Sequence, residues 1–157
     1  MRDLILLRHA HAEPVTADQD DRQRGLSATG LEEAHAAGEW LRAHGLMPDR
    51  ILFSTAARTR ETLEALGDLG GVQGREEASI YEASPGTLAA LADANRDAER
   101  LLLIGHNPGL EQLAALMHSG QTGDYRGMPP GGIAVLSMPA DGSFEPGIGT
   151  LTQFWWP

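Results

Sequence analysis

Two runs of four, Leu4-Ile5-Leu6-Leu7 and Leu101-Leu102-Leu103-Ile104, contain no polar side chain. A strand with one wet face alternates apolar and polar residues. A strand that is apolar at every position is covered on both faces, as in a parallel sheet held between helical layers. Ile51-Leu52-Phe53 repeats the pattern on a shorter scale. The segments between these runs carry helical signals. Ser27 can cap a helix with the stripe Leu31, Ala34, Gly38 and Leu41, ending near Gly45. A second helix carries Leu63 and Leu66 and is stopped by Gly70-Gly71. Ser84-Pro85 opens a third with Leu88 and Leu91 on its core side, and Leu110, Leu113, Ala114 and Met117 mark a fourth.

Glu13 to Arg24 is polar and aperiodic and reads as a loop, Ala78 to Tyr81 reads as an edge strand, and Gly127 to Gly132 is a Gly/Pro-rich loop. Ile133 to Met138 and Thr150 to Phe154 read as late strands joined by a turn near Asp141-Gly142. The expectation is an α/β fold: a three-layer sandwich whose mainly parallel central sheet is flanked by helices, with a C-terminal hairpin adding antiparallel strands. The chain of 157 residues is read as one domain spanning 1–157.

Composition narrows the function classes. No apolar run approaches the roughly 20 residues that span a bilayer, and charge arrives at once with Arg2 and Asp3, which gives the expectation of a cytoplasmic protein without a membrane partner. The absence of cysteine removes disulfides, thiolate zinc sites and cysteine nucleophiles. A formal charge of −10 argues against nucleic acid as partner. An acidic chain that takes an anionic substrate must gather its few cations in one place.

Three strand ends supply such a place. The first run closes on Arg8-His9, Ile51 to Phe53 closes on Ser54-Thr55 with Arg58 in the helix that follows, and the third closes on Gly105-His106-Asn107-Pro108-Gly109. The carboxyl ends of neighbouring parallel strands share one edge, where ligands bind, and helix N-termini there favour anions. A neutral imidazole is a competent nucleophile toward phosphorus when its other nitrogen is held as a donor. Two guanidiniums and a protonated second imidazole could stabilise the charge on the transferred group.

The motifs Leu6-Leu7-Arg8-His9-Ala10, Ser54 to Thr62 and Gly105-His106-Asn107-Pro108 resemble the histidine phosphatase superfamily, which has the phosphoglycerate-mutase-like fold. The short chain is similar to its compact, SixA-like phosphohistidine phosphatase branch. The resemblance implies that His9 is the nucleophile, that Arg8 and Arg58 hold the phosphoryl oxygens, that His106 completes the pocket and that Glu82 is the acid. It further implies substrate contacts from Arg24 and Asn107, no cofactor, no metal, and a phosphorylated protein or small phosphorylated metabolite as partner. Ala10 stands where the family has a glycine, which would allow close backbone approach or positive φ.

Other readings share these residues. Arg58 could pair with Glu61 or Glu64 along its helix. His11 with His9 and His106 raises a metal-dependent hydrolase, although no carboxylate joins them in the motif. A mutase would need a second phosphate site and a lid, for which the chain has little length. A non-catalytic phosphate- or phosphohistidine-binding module would lack the nucleophile or the acid. Trp155 and Trp156 mark either a partner surface or packing at the sheet edge. Specificity is expected in the 13–25 loop and in Gly120 to Gly132.

Overall fold

A computed structural model describes residues 1–123 and 127–157. Of the Gly120 to Gly132 segment, 124–126 therefore lie outside the described residues. Six strands, β1 (Asp3–Arg8), β2 (Arg50–Phe53), β3 (Gly74–Glu76), β4 (Arg100–Gly105), β5 (Ile133–Ser137) and β6 (Thr150–Trp155), alternate with four helices. The helices are α1 (Ala28–Ala43), α2 (Ala57–Leu66), α3 (Pro85–Ala94) and α4 (Gly109–Ser119). The sheet order is β3-β2-β4-β1-β5-β6. The first four strands in that order are parallel, and β5 and β6 join antiparallel.

The apolar runs divide by parity. Leu4, Leu6, Leu101 and Leu103 pack with Leu88, Leu110, Leu113 and Met117 of α3 and α4. Ile5, Leu7, Leu102 and Ile104 pack with Ala37, Leu41 and Leu66 of α1 and α2. Both faces are covered, as the unbroken apolar pattern requires. Each fully buried Leu or Ile contributes about 1.5–3 kcal/mol.

Helix boundaries follow local chemistry. Ser27 Oγ accepts the Gly30 N–H and Ser84 Oγ accepts the Thr87 N–H. The second helix ends earlier than the Gly70-Gly71 pair, at Gly67, where φ of 80° suits glycine. A Cβ on Gly38 would collide with the Leu66 carbonyl, so this glycine sets how closely α1 approaches α2.

Two expectations are corrected. Ala78 to Tyr81 forms a single 3₁₀ turn over Ala78–Ile80, with Ile80 plugged into the core; the edge strand is Gly74–Glu76. Leu31 is half exposed rather than part of the buried stripe, because Gly30 takes the position against the His11 carbonyl. No helix among the described residues is long and apolar enough to cross a membrane.

Candidate active site

The register of the sheet brings the three motifs level. Leu7 lies opposite Ile104 and Arg8 opposite Gly105, while Phe53 also faces Ile104. The His9 N–H donates to the Gly105 carbonyl at 3.0 Å, extending the ladder one residue beyond the strand. The His9 and His106 rings consequently stand 5.3 Å apart, centroid to centroid.

His9 Nδ1 lies 2.7 Å from its neighbour's carbonyl, Ala10 O. A carbonyl only accepts, so Nδ1 carries the proton and Nε2 keeps its lone pair. Burial, reinforced by the charges around it, lowers the His9 pKa from its ordinary value to about 3, despite the opposing Ala10 hydrogen bond. At neutral pH the ring is uncharged, with its lone pair on Nε2.

The surrounding donors are unusually free. Arg8 places one terminal nitrogen on Met128 O at 2.8 Å and Arg58 bonds Asp21 O and Oδ2 at 2.9 and 3.0 Å. Among the described residues, the buried side-chain nitrogens or oxygens without a partner are Arg8 Nε, Arg58 Nε and His106 Nδ1. Buried polar groups are almost always paired. Three unpaired ones on residues that line one pocket leave hydrogen-bonding capacity there for a ligand. The residues that carry them line a pocket of about 320 Å³ together with His9, His11, Arg24 and Asn107.

Burial, with Arg58 close by, lowers His106 to about 4, although Asp21 opposes this. The ring is thus neutral at pH 7, which corrects the expected protonated second imidazole. Its Nε2 lies 2.8 Å from Ser54 Oγ. Arg24 reaches the pocket while bonded to Asp21 and Glu13 O. Asn107 lines the same space, but its amide is committed to Glu111 and Met128 O, tying the loop after α4 to that helix.

Glu82 sits elsewhere. Its exposed side chain lines an adjoining groove of about 420 Å³, which shares Arg58, His106 and Asn107 with the first pocket. Its backbone φ of 54° makes it the non-glycine residue in the left-handed region among those described. Such a conformation costs of order 1 kcal/mol and clusters at functional sites.

Asp21 is a residue the sequence reading missed. Its carboxylate takes Arg58, a 2.5 Å hydrogen bond from Tyr81 Oη and the Arg24 guanidinium. These partners, the Tyr81 bond foremost, hold it down at about 2. Arg58 therefore pairs across the loop and not with Glu61 or Glu64; Glu61 instead accepts the Leu26 N–H. His11 Nδ1 faces Ser27 Oγ at 2.6 Å. Ala10 has no positive φ, and its methyl is buried beside Leu26 and Ala34, so alanine fits where a glycine is usual. Trp155 stacks on Trp40 with centroids 5.5 Å apart, whereas Trp156 is exposed.

Comparison with known proteins agrees with this geometry. The sequence model of the histidine phosphatase superfamily (branch 1) matches residues 4–120. An uncharacterised protein of Mycobacterium tuberculosis is 34% identical over 145 residues, covering 85% of this chain and 89% of its own. Phosphohistidine phosphatase SixA of Escherichia coli is 28% identical over 125 residues, or 76% of each chain. The crystal structure of a SixA protein from Agrobacterium tumefaciens superposes with a TM-score of 0.85 at 30% identity, over 99% of this chain and 98% of that one. From the strand-end motifs, their convergence and these likenesses, the chain belongs to the histidine phosphatase superfamily, branch 1.

Proposed function

We propose that the chain is a metal-independent phosphatase that works through a phosphohistidine on His9, with a phosphohistidine on a protein or a small phosphomonoester as substrate. The observation that carries this reading is the committed tautomer of His9. Its Nδ1–H is spent on Ala10 O, so Nε2 is left as the lone-pair nitrogen, in a pocket shared with Arg8, Arg58 and His106, each of which has a buried nitrogen without a partner.

In the first step Nε2 attacks phosphorus, the P–N bond forms and the bond to the leaving group breaks. Arg8, Arg58, Arg24 and the His106 N–H take the charge on the equatorial oxygens. The Glu82 carboxyl, from the adjoining groove, gives its proton to the departing atom. In the second step water attacks phosphorus, gives its proton to the Glu82 carboxylate and releases orthophosphate, and the P–N electron pair returns to Nε2. The compact SixA likeness supports protein phosphohistidine as the substrate class.

The test is hydrolysis of an aryl phosphate and of phosphohistidine by wild type and His9→Ala, both in chelator. Turnover in wild type that is lost in the variant supports the reading. Equal rates in both would remove His9 as the nucleophile, and binding of orthophosphate without turnover of either substrate would replace the reading with a non-catalytic one.

A further inference from the structure

We infer that Ser54 is a positioning residue that fixes which nitrogen of His106 carries the proton, and thereby turns His106 into a donor for the phosphoryl group. This rests on the phosphatase reading for its kinetic consequence, though not for its structural content. Ser54 directly follows β2 and is completely buried, and the resemblance assigns it no role although it opens the second motif.

Proton accounting decides the direction. A serine hydroxyl has one proton to give and two lone pairs. One lone pair of Ser54 Oγ accepts the Ala56 N–H at 3.2 Å. The other neighbour of Oγ is His106 Nε2 at 2.8 Å. If Nε2 carried a proton, Ser54 would accept twice and its own buried O–H would have no acceptor, while His106 Nδ1 would be a bare buried lone pair. If Ser54 donates to Nε2, both its proton and its lone pair are used. The His106 proton then sits on Nδ1, the buried nitrogen without a hydrogen-bond partner among the described residues. An unsatisfied buried donor costs free energy unless a ligand supplies the acceptor. A phosphoryl oxygen in the pocket that His106 lines is such an acceptor.

The arrangement parallels that of His9 with the nitrogens exchanged. At His9 a carbonyl holds a proton on Nδ1 and leaves Nε2 to attack; at His106 a hydroxyl occupies Nε2 and leaves an Nδ1–H to donate. A neutral imidazole has one proton, so each ring needs an outside partner to choose its role.

The test reads the tautomer directly, by long-range ¹H–¹⁵N correlation of the histidine rings at pH 7 in wild type, Ser54→Ala and Ser54→Thr. The wild-type His106 is expected as the Nδ1–H tautomer. Ser54→Ala is expected to show a mixture with the Nε2–H form, with His9 unchanged. Its kcat should fall about tenfold with KM little altered, because the lost donor acts chiefly on the transition state. Ser54→Thr, which keeps the hydroxyl, should recover both tautomer and rate. An Nε2–H tautomer in wild type would overturn the inference even in an active enzyme and even if the variants do not fold. A wild type with the Nδ1–H tautomer and no turnover would overturn the phosphatase reading and leave the role of Ser54 standing.

Discussion

Acidification should destabilise this protein through its two site histidines. Their folded-state pKa values are about 3 for His9 and about 4 for His106, against an ordinary value of 6.5. Between pH 6.5 and about 4 the unfolded chain therefore binds two protons that the folded chain does not, so stability falls as pH falls. It is fully present above 6.5 and lost as pH drops toward the folded values. At pH 5 each unfolded imidazole is protonated and each buried one is not. The distance of 1.5 units below 6.5, at about 1.4 kcal/mol per unit, amounts to about 2 kcal/mol for each histidine and about 4 kcal/mol for the pair. Asp21, held at about 2 from an ordinary 3.8, acts with the same sign but only below pH 5. Urea denaturation at pH 7 and pH 5, followed by tryptophan fluorescence, measures the loss. A double variant, His9→Asn with His106→Asn, should lose about 4 kcal/mol less than wild type between the two pH values. Equal losses in the two proteins would refute the reasoning, since the rings would then be charged or solvated in the folded state.

The remaining predictions concern other parts of the site and core. Glu82→Gln should lower kcat/KM, which reports the phosphorylation step, by about 10²-fold or more for basic leaving groups and leave it nearly unaffected for nitrophenyl phosphate, whose leaving group needs no proton; a loss in kcat/KM independent of leaving-group pKa would contradict the acid role. Asp21→Asn removes the carboxylate that competes for Arg58 and Arg24, so orthophosphate should inhibit several-fold more tightly, measured as a competitive inhibition constant; weaker inhibition would show that Asp21 orients Arg58 more than it shields it. Leu103→Ala, at a fully buried position in the middle of the sheet, should cost about 2–5 kcal/mol in denaturant midpoint analysis, and a loss under 1 kcal/mol would contradict the packing described.

What was legible in the chain was whatever depends on local pattern. The runs at Leu4 and Leu101 announce strands covered on both faces, and Ser27 and Ser84 announce helix starts by offering a side-chain acceptor to an orphan N–H. The residues that follow those strands are brought together because parallel neighbours in register must end at the same edge. The edge strand Gly74–Glu76 was missed because three residues with charged Arg75 and Glu76 have no apolar pattern; it is held by backbone pairing to β2. Ala78 to Tyr81 has strand-like composition, but Ile80 is needed in the core, and a turn delivers it. Asp21 gave no sign, since Asp18 and Asp20 flank it and its partners Arg58 and Tyr81 lie 37 and 60 residues away. Arg8, His9, Arg58, His106 and Arg24 share one pocket, whereas Glu82 lies in the groove beside it. That placement of the carboxyl to one side of His9 and Arg8 is a property of the folded loops, and spacing in the chain does not encode it.

The most direct test of the central claim is to trap the phosphoenzyme. Wild type and His9→Ala are mixed with a radiolabelled phosphoryl donor in chelator and quenched in alkali within a single turnover, and the labelled site is mapped by mass spectrometry. The account predicts an alkali-stable, acid-labile phosphoryl group on His9 Nε2 in wild type and none in the variant. Turnover with no labelled intermediate, or equal labelling of the variant, would contradict it.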